Sequence, residues 1–353
     1  MTLPQDSGET IVSISASQIR DEFGPTTESG EKVSLGEYRV SQTFGELSNL
    51  PLDKNIPQSG TISFNDFKGK KLNIIVDYYS SKYADYTRES EGEAMNIRDR
   101  FTGGTDVNVV GGFKSYDKED SSETKVIVHV NRKLGGEKSG NAAVCALRTG
   151  SGWEGDTEMV IDVGNEGRIY GAGGNGGRGG DMDASGDDGQ TGTSALGISL
   201  ANVEVNVASG GIIKAGFGGG GGGGNGRQED KNADRRAGGG GGGGGQGFPA
   251  GSGGAAGSGN HNSDGQAGTA GSLNEHGEGG EGGINANQQA IGAAGGEGGM
   301  FGNEANDGGA AQHGKGEGGG DGAAIRVSGN GSFELHKDSG AEVDGSTSAT
   351  GVS

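Results

Sequence analysis

Apolar and polar residues alternate in short runs through the middle of the chain. In "TKVIVHVNR", Val126, Val128 and Val130 share one parity, and Ile127 and His129 share the other. This period of two marks a strand with one buried face. "KLNIIVDYY", "TDVNVVGGF", "AAVCALRT" and "TEMVIDVG" have similar β-branched cores, each bounded by Gly, Asp, Asn or Ser. Five or six such strands between residues 71 and 165 predict a small β-sandwich-like or jelly-roll-like domain. The intervening "SSKYADYTRESEGEAMNIRDRF" has no clean period and reads as a long loop with one short helix.

Residues 1–70 follow a different pattern. "ISASQI" from Ile14, "VSLGEY" from Val33 and "ISFNDF" from Ile62 each place Ser three residues before Gln18, Glu37 or Asp66. The Ser oxygen can then accept from the backbone while the later side chain reaches back, as in a capping box. Three short helical turns are expected, each pinned by an apolar pair. Such pieces bury too little surface to be more than marginal alone.

From residue 166 onward glycine dominates. "GAGGNGGRGG" puts glycine at 171, 174, 177 and 180, with a second register at 173, 176 and 179, and "GEGGEGG" repeats this at 277, 280 and 283. Two runs, "GFGGGGGGGNGR" at 216–227 and "AGGGGGGGGQGF" at 237–248, are almost pure glycine. Three residues make one turn of a polyproline-II-type helix, and a flexible linker has no reason to keep that period. A helix without Cβ atoms can approach neighbours on every side, so a bundle of such rods can satisfy its amides between rods. Polar segments separate the tracts at fairly even spacing, as turns would. "VIDVGNEGRIYGAG" (160–173) and "VEVNVASGGIIKAG" (203–216) also align, so the tracts leave from short β elements. The chain therefore divides into a docking module at 1–70, a β-rich domain at 71–165 and a glycine-rich domain at 166–353. The fold class is mainly β, with short N-terminal helical turns and a polyglycine-II bundle at the C-terminus.

Composition narrows the function. The 353 residues include 83 Gly, 29% hydrophobic residues and a net charge of −20 from 48 acidic and 28 basic side chains. Nucleic acid and anionic membranes need a basic footprint, so the charge argues against both as partners. The lone Cys145, in an apolar stretch, gives no disulfide framework and no CxxC zinc site. No signal peptide or membrane-spanning run is present. The chain lacks a P-loop, a G-x-S-x-G elbow and any ligand spacing among its five histidines. Asp181, Asp183, Asp187 and Asp188 crowd one loop, which reads as a solvated acidic turn rather than a calcium site. No enzyme, cofactor or metal is expected.

Two resemblances add to this reading. "VSLGEY…IPQSGTISFNDFKG" resembles an N-terminal module of virion structural and fibre proteins of tailed bacteriophages, particularly those of marine hosts. It departs from that pattern at Gly36 and around "RVSQTFGELSNL". The glycine tracts with polar loops resemble, in pattern, the fibre-tip adhesins of T-even-like phages. There polyglycine-II helices form a sandwich whose end loops contact the host. The resemblance implies a virion protein made in a host cytoplasm, docked on other virion proteins through Ile14, Ile19, Val33, Leu35, Tyr38, Ile62, Phe64 and Phe67. It implies contact with a host polysaccharide or outer-membrane protein through loops 225–237, 246–250, 258–264, 272–276, 284–290 and 303–307. Arg227, Arg235, Arg236, Phe248, His261, Asn262, His276 and Phe301 are the contact candidates. Fibre proteins are often trimers, so a homo-oligomer is implied by the same analogy. Purely architectural, ice-binding and disordered-linker readings are the alternatives.

Overall fold

The computed structural model describes residues 13–23, 35, 60–68, 74–78, 86–87, 96–98, 109–110, 125–153, 157–230, 233–285 and 290–352. Two of the expected N-terminal turns form. Helix α1 spans Ala16–Phe23, and at its start the Ser15 amide donates to Gln18 Oε1 at 2.8 Å. A 3-10 turn spans Phe64–Phe67, and the Ser63 amide donates to Asp66 Oδ2 at 2.6 Å. Ile19 and Phe67 are fully buried whereas Phe64 is exposed. Ile14, Leu35 and Ile62 are half-buried. Val33 and Tyr38 lie outside the described residues.

The chain is mainly β, and among the described residues the strands lie mostly in parallel-paired sheets rather than a sandwich. They comprise β1 (Ile74–Tyr78), β2 (Tyr86–Thr87), β3 (Val109–Val110), β4 (Lys125–Val130), β5 (Lys133–Gly135) and β6 (Cys145–Arg148). After these come β7 (Glu158–Val163), β8 (Arg168–Tyr170), β9 (Ser194–Ile198), β10 (Val203–Val207) and β11 (Ile212–Lys214). The series ends with β12 (Gly226–Asp230), β13 (Ala233–Ala237), β14 (Ile325–Val327), β15 (Phe333–Lys337), β16 (Glu342–Asp344) and β17 (Ala349–Thr350). One sheet runs β15-β10-β7-β4-β1-β3, a second β16-β11-β8-β5-β2 and a third β17-β14-β9-β6. Apart from the antiparallel edge β3, every pairing within these three sheets is parallel.

The chain therefore coils, laying one strand in each sheet per circuit. Short connections of a few residues suggest antiparallel hairpins, because parallel neighbours need a long crossover. Here each short turn steps to a different sheet, and the parallel partner arrives one circuit later. The aligned repeat is this register: Val163 lies opposite Val207, and Ile169 opposite Ile213. Side chains of one parity fill the centre of the coil. Val128, Leu134, Leu147, Ile161, Ile169, Leu196, Val205, Ile213 and Ile325 belong to one buried cluster. The sheets run straight across position 166, since β7 pairs with β10, and β10 with β15.

The glycine tracts are two excursions from one corner of the coil. Residues 171–193 leave β8 and return to β9, and residues 215–324 leave β11 and return to β14. They run as extended rods: 171–180, 186–193, 216–225, 238–247, 251–259, 265–271, 277–283, 291–299, 304–309 and 315–322. Rods bond to one another every third residue. Gly174, Gly177 and Gly180 donate to Phe217, Gly220 and Gly223, and Gly220 and Gly223 donate onward to Gly243 and Gly240. The bonds define three layers. Rods 186–193, 171–180 and 251–259 form one face, and 304–309, 291–299 and 277–283 form the other. The middle layer runs 315–322, 216–225, 238–247 and 265–271.

This layout explains the two uninterrupted runs. Rod 216–225 bonds to six neighbours, and so does rod 238–247. Along 218–224 and 238–245 no side of either rod is free for a side chain. A Cβ built on Gly220, Gly222, Gly239 or Gly241 would meet a carbonyl oxygen at 2.2, 1.9, 2.0 and 2.1 Å respectively. Outer rods have a free side, and there Glu278, Glu281 and Glu297 stand in solvent. The entropic cost of ordering glycine is offset by these bonds, each contributing about 1 kcal/mol net.

Candidate functional site

Successive rods alternate in direction, so their connections sort to two opposite ends. Outward rods meet returning ones at 181–185, 226–237, 260–264, 284–290 and 310–314, all at the end away from the coil. Connections 248–250, 272–276 and 300–303 lie at the end beside the coil. Residues 286–289 and 231–232 lie outside the described residues.

The contact candidates divide accordingly. Arg227, Arg235, Arg236, His261 and Asn262 stand at the distal end, and Phe248, His276 and Phe301 at the end beside the coil. Lys133 of β5 sits over the Phe248 ring at 4.1 Å, and Phe248 O accepts from the Gly136 amide at 2.9 Å. Lys214 of β11 lies 5.9 Å from the centre of the Phe301 ring. His276 Nδ1 faces Met300 Sδ at 2.9 Å. Phe248 and Phe301 thus pack at the junction between the rods and the coil. Counting tracts makes this division legible in the sequence, because every second connection must fall at the same end. Two distal connections, 181–185 and 310–314, are absent from the sequence-derived set.

The distal end is organised around the antiparallel hairpin of β12 and β13, where Arg227 pairs with Arg236 and Gln228 with Arg235. Two arginines side by side would repel, and carboxylates from two elements separate them. Asp234 Oδ2 accepts from Arg236 Nη2 at 2.6 Å, and Asp234 Oδ1 from Arg227 Nε at 3.3 Å. Asp183, from loop 181–185, contacts Arg236 and lies 3.7 Å from Arg227. The hydrogen bond from Arg236, reinforced by both positive charges, holds the Asp234 carboxyl below the usual aspartate range. The same partners raise Arg236 above the ordinary arginine value. Loop 260–264 is tied to β13 as well. Asn260 accepts from the Arg236 amide at 2.8 Å and donates to Asp234 O at 2.7 Å. His261 and Asn262 adopt left-handed backbone, with φ of 56° and 59°, and project into solvent.

Because its pKa is depressed, Asp234 stabilises the hairpin above the ordinary aspartate pKa. That contribution disappears as pH falls through its lower folded value. An NMR titration should place the Asp234 midpoint below that of an exposed aspartate. In Arg236→Ala the midpoint should return towards that of an exposed aspartate. A midpoint that Arg236→Ala leaves in place would mean the pair does not form.

The acidic crowd of 181–188 is occupied by protein groups. Asp181 pairs with Arg178 at 2.5 Å and accepts from the Ser258 amide at 2.8 Å. Asp188 Oδ1 accepts from the Glu317 amide at 2.7 Å. Among the described residues, no three His, Cys, Asp or Glu side chains converge as a metal ion would need. The distal surface also exposes apolar groups. Met182, Ile284 and Ile291 are 40%, 55% and 54% exposed, and Ile284 faces Ile291 across an antiparallel bridge. These residues sit where polar loops are expected, and periodicity alone gives no sign of them.

A family model described as "Phage tail fibre adhesin Gp38" matches residues 96–347. Among curated proteins, none matches the chain. Among solved structures, the gp37-gp38 adhesin tip complex of the bacteriophage S16 long tail fibre aligns at 17% identity, over 87% of this chain and 94% of that one. Its TM-score is 0.35, too low to speak for a shared fold.

Proposed function

We propose, from the premise that this chain belongs to the phage tail fibre adhesin Gp38 family, that its distal loops are the surface that meets the host cell. As a tail fibre adhesin it is part of the virion and serves attachment. We read the rods as polyglycine-II helices, on the strength of their three-residue bonding period. The observation that carries the contact reading is the sorting of connections: five distal ones are displayed together, away from the coil. Contact would run through Arg235, His261 and Asn262, joined by Met182, Ile284 and Ile291. Arg227 and Arg236 would shape the hairpin, being held by Asp183 and Asp234. Phe248, His276 and Phe301 would instead serve the junction with the coil.

The same reading assigns the attachment to the fibre to residues 1–70. The fully buried Ile19 and Phe67 give that module its fixed points, and the exposed Phe64 is the group we assign to the virion partner. A trimeric assembly follows only by analogy with fibre proteins. The chain is a binding protein in this reading, not an enzyme, and the receptor is a host polysaccharide or an outer-membrane protein.

Loop replacement tests the reading. Exchanging 260–264 for a glycine–serine turn of equal length should leave the melting temperature within a few degrees. Adsorption of particles to the host should fall about tenfold or more, the loss of roughly 1.4 kcal/mol of binding. Unchanged adsorption after exchange of both 260–264 and 284–290 would refute the distal contact.

A further inference from the structure

Three residues of the two interior rods are not glycine: Phe217 and Gln246 at the end beside the coil, where Gln246 is hydrogen-bonded, and Asn225 at the distal end. Rod 216–225 is enclosed by six others, and Asn225 ends it, fully buried. Its Oδ1 and Nδ2 have no hydrogen-bond partner. A buried amide left unmatched destabilises a fold, whereas glycine would continue the rod without that burden. Departures of this kind from local consistency are expected at functional positions.

The rod period shows where the side chain is aimed. A Cβ on Gly216, Gly219 and Gly222 would meet the carbonyl oxygens of Ala172, Asn175 and Arg178 at 2.0, 2.1 and 1.9 Å. The next position in this series is 225, and it faces Asp181, the first residue of loop 181–185. Contacts of Gly180 agree: its Cβ would lie 2.5 Å from Ala184 O and 3.0 Å from Asn225 N. Loop 181–185 therefore lies over Asn225. Its side chains are held by the ion pairs Asp181–Arg178, Asp183–Arg227 and Asp183–Arg236. Asp183 is 61% exposed, against 26% and 17% for Arg227 and Arg236, so its two pairs stay open to water on the loop's side. Met182 stands 40% exposed on the same loop.

We propose that loop 181–185 is a displaceable cover and that Asn225 beneath it is a specificity-determining residue for the receptor. The inference rests on the distal end being the host-contact surface. Asn offers a carbonyl acceptor and an amide donor side by side, the complement of a peptide group. The receptor group it reads is accordingly a polypeptide amide. The distal connections contain no Phe, Tyr or Trp to stack on a sugar ring, and among the described residues the large exposed apolar side chains there are Met182, Ile284 and, at the start of rod 291–299, Ile291. Those suit a protein loop better than a glycan.

The test uses particles carrying the full-length chain. Asn225→Ala should raise the melting temperature by about 2 °C or more, since an unmatched buried amide is removed. Adsorption should nevertheless fall about tenfold or more. Asn225→Gly, the residue the rod would otherwise carry, should reproduce both effects. A smaller loss of adsorption in the two variants, or a melting temperature below wild type in both, overturns the proposal. Protease-treated host cells should lose wild-type adsorption while periodate-treated cells keep it, and the reverse pattern overturns the polypeptide assignment. Adsorption unchanged by exchange of both 260–264 and 284–290 sinks the underlying contact reading, and this inference with it. Normal wild-type adsorption beside unaffected variants sinks the inference alone.

Discussion

Gly242→Val is expected to abolish the folded glycine domain. Residue 242 lies in an interior rod, and a Cβ there would meet Gly220 O at 2.0 Å and Gly220 C at 2.6 Å. Neither atom is the end of a flexible side chain. Both belong to a rod that itself bonds to six neighbours, so relief at 242 requires moving several rods at once. Ordinary overpacking costs about 1–3 kcal/mol because side chains can shift. Here only backbone is available to shift, and the cost should exceed that range. The control is Gly320→Ala on rod 315–322, at the edge of the middle layer, where the nearest atoms are Thr191 Cγ2 at 3.8 Å and Oγ1 at 3.9 Å. Limited proteolysis and thermal melting should show a resistant core in Gly320→Ala and none in Gly242→Val. A Gly242→Val protein that melts within a few degrees of wild type would mean the rods are not packed as described.

Leu196→Ala should destabilise the coil and the glycine bundle together. Leu196 is fully buried in β9, opposite Leu147 on one side and Ile325 on the other. Removing its side chain leaves a cavity worth about 2–5 kcal/mol, a drop in melting temperature on the order of 10 °C. Both excursions begin and end in this coil, and β9 and β14 are the strands on which they return. Losing the third sheet therefore releases the rod ends. Calorimetry should show one transition, moved as a whole. Two transitions of which only one moves would show that the bundle stands without the coil.

Much of this was legible in the residues, and the failures have identifiable causes. The period of three in "GAGGNGGRGG" and "GEGGEGG" pointed to rods because a rod face open to neighbours admits only glycine. The alternation at Val126, Val128 and Val130 identified a strand and its buried side. It did not identify a partner, since parallel and antiparallel neighbours bury the same parity. Five or six strands with turn signals between them then read as a sandwich. The repeat between 160–173 and 203–216 held the correction, because strands that recur with the same turn after a long excursion can stack in parallel. At the distal end, Arg236 looked like a free contact group. Its pairing with Asp183 joins residues far apart in sequence, which no local pattern reports. Asn225 looked like the start of a loop, and only the six-neighbour environment shows it to be interior.

The interior of the bundle is built almost wholly from main chain, and this has a consequence for how such a protein can change. A conventional core records its shape in side-chain volumes, so a new loop often demands compensating changes beneath it. Here what lies beneath a distal loop is a set of carbonyls and amides whose positions depend on no side chain. Two rods present the same ends to whatever segment joins them. Variation can therefore gather at the tips while the lattice below stays unchanged, separating what is displayed from what is held rigid. Asn225 is the point where that separation breaks down.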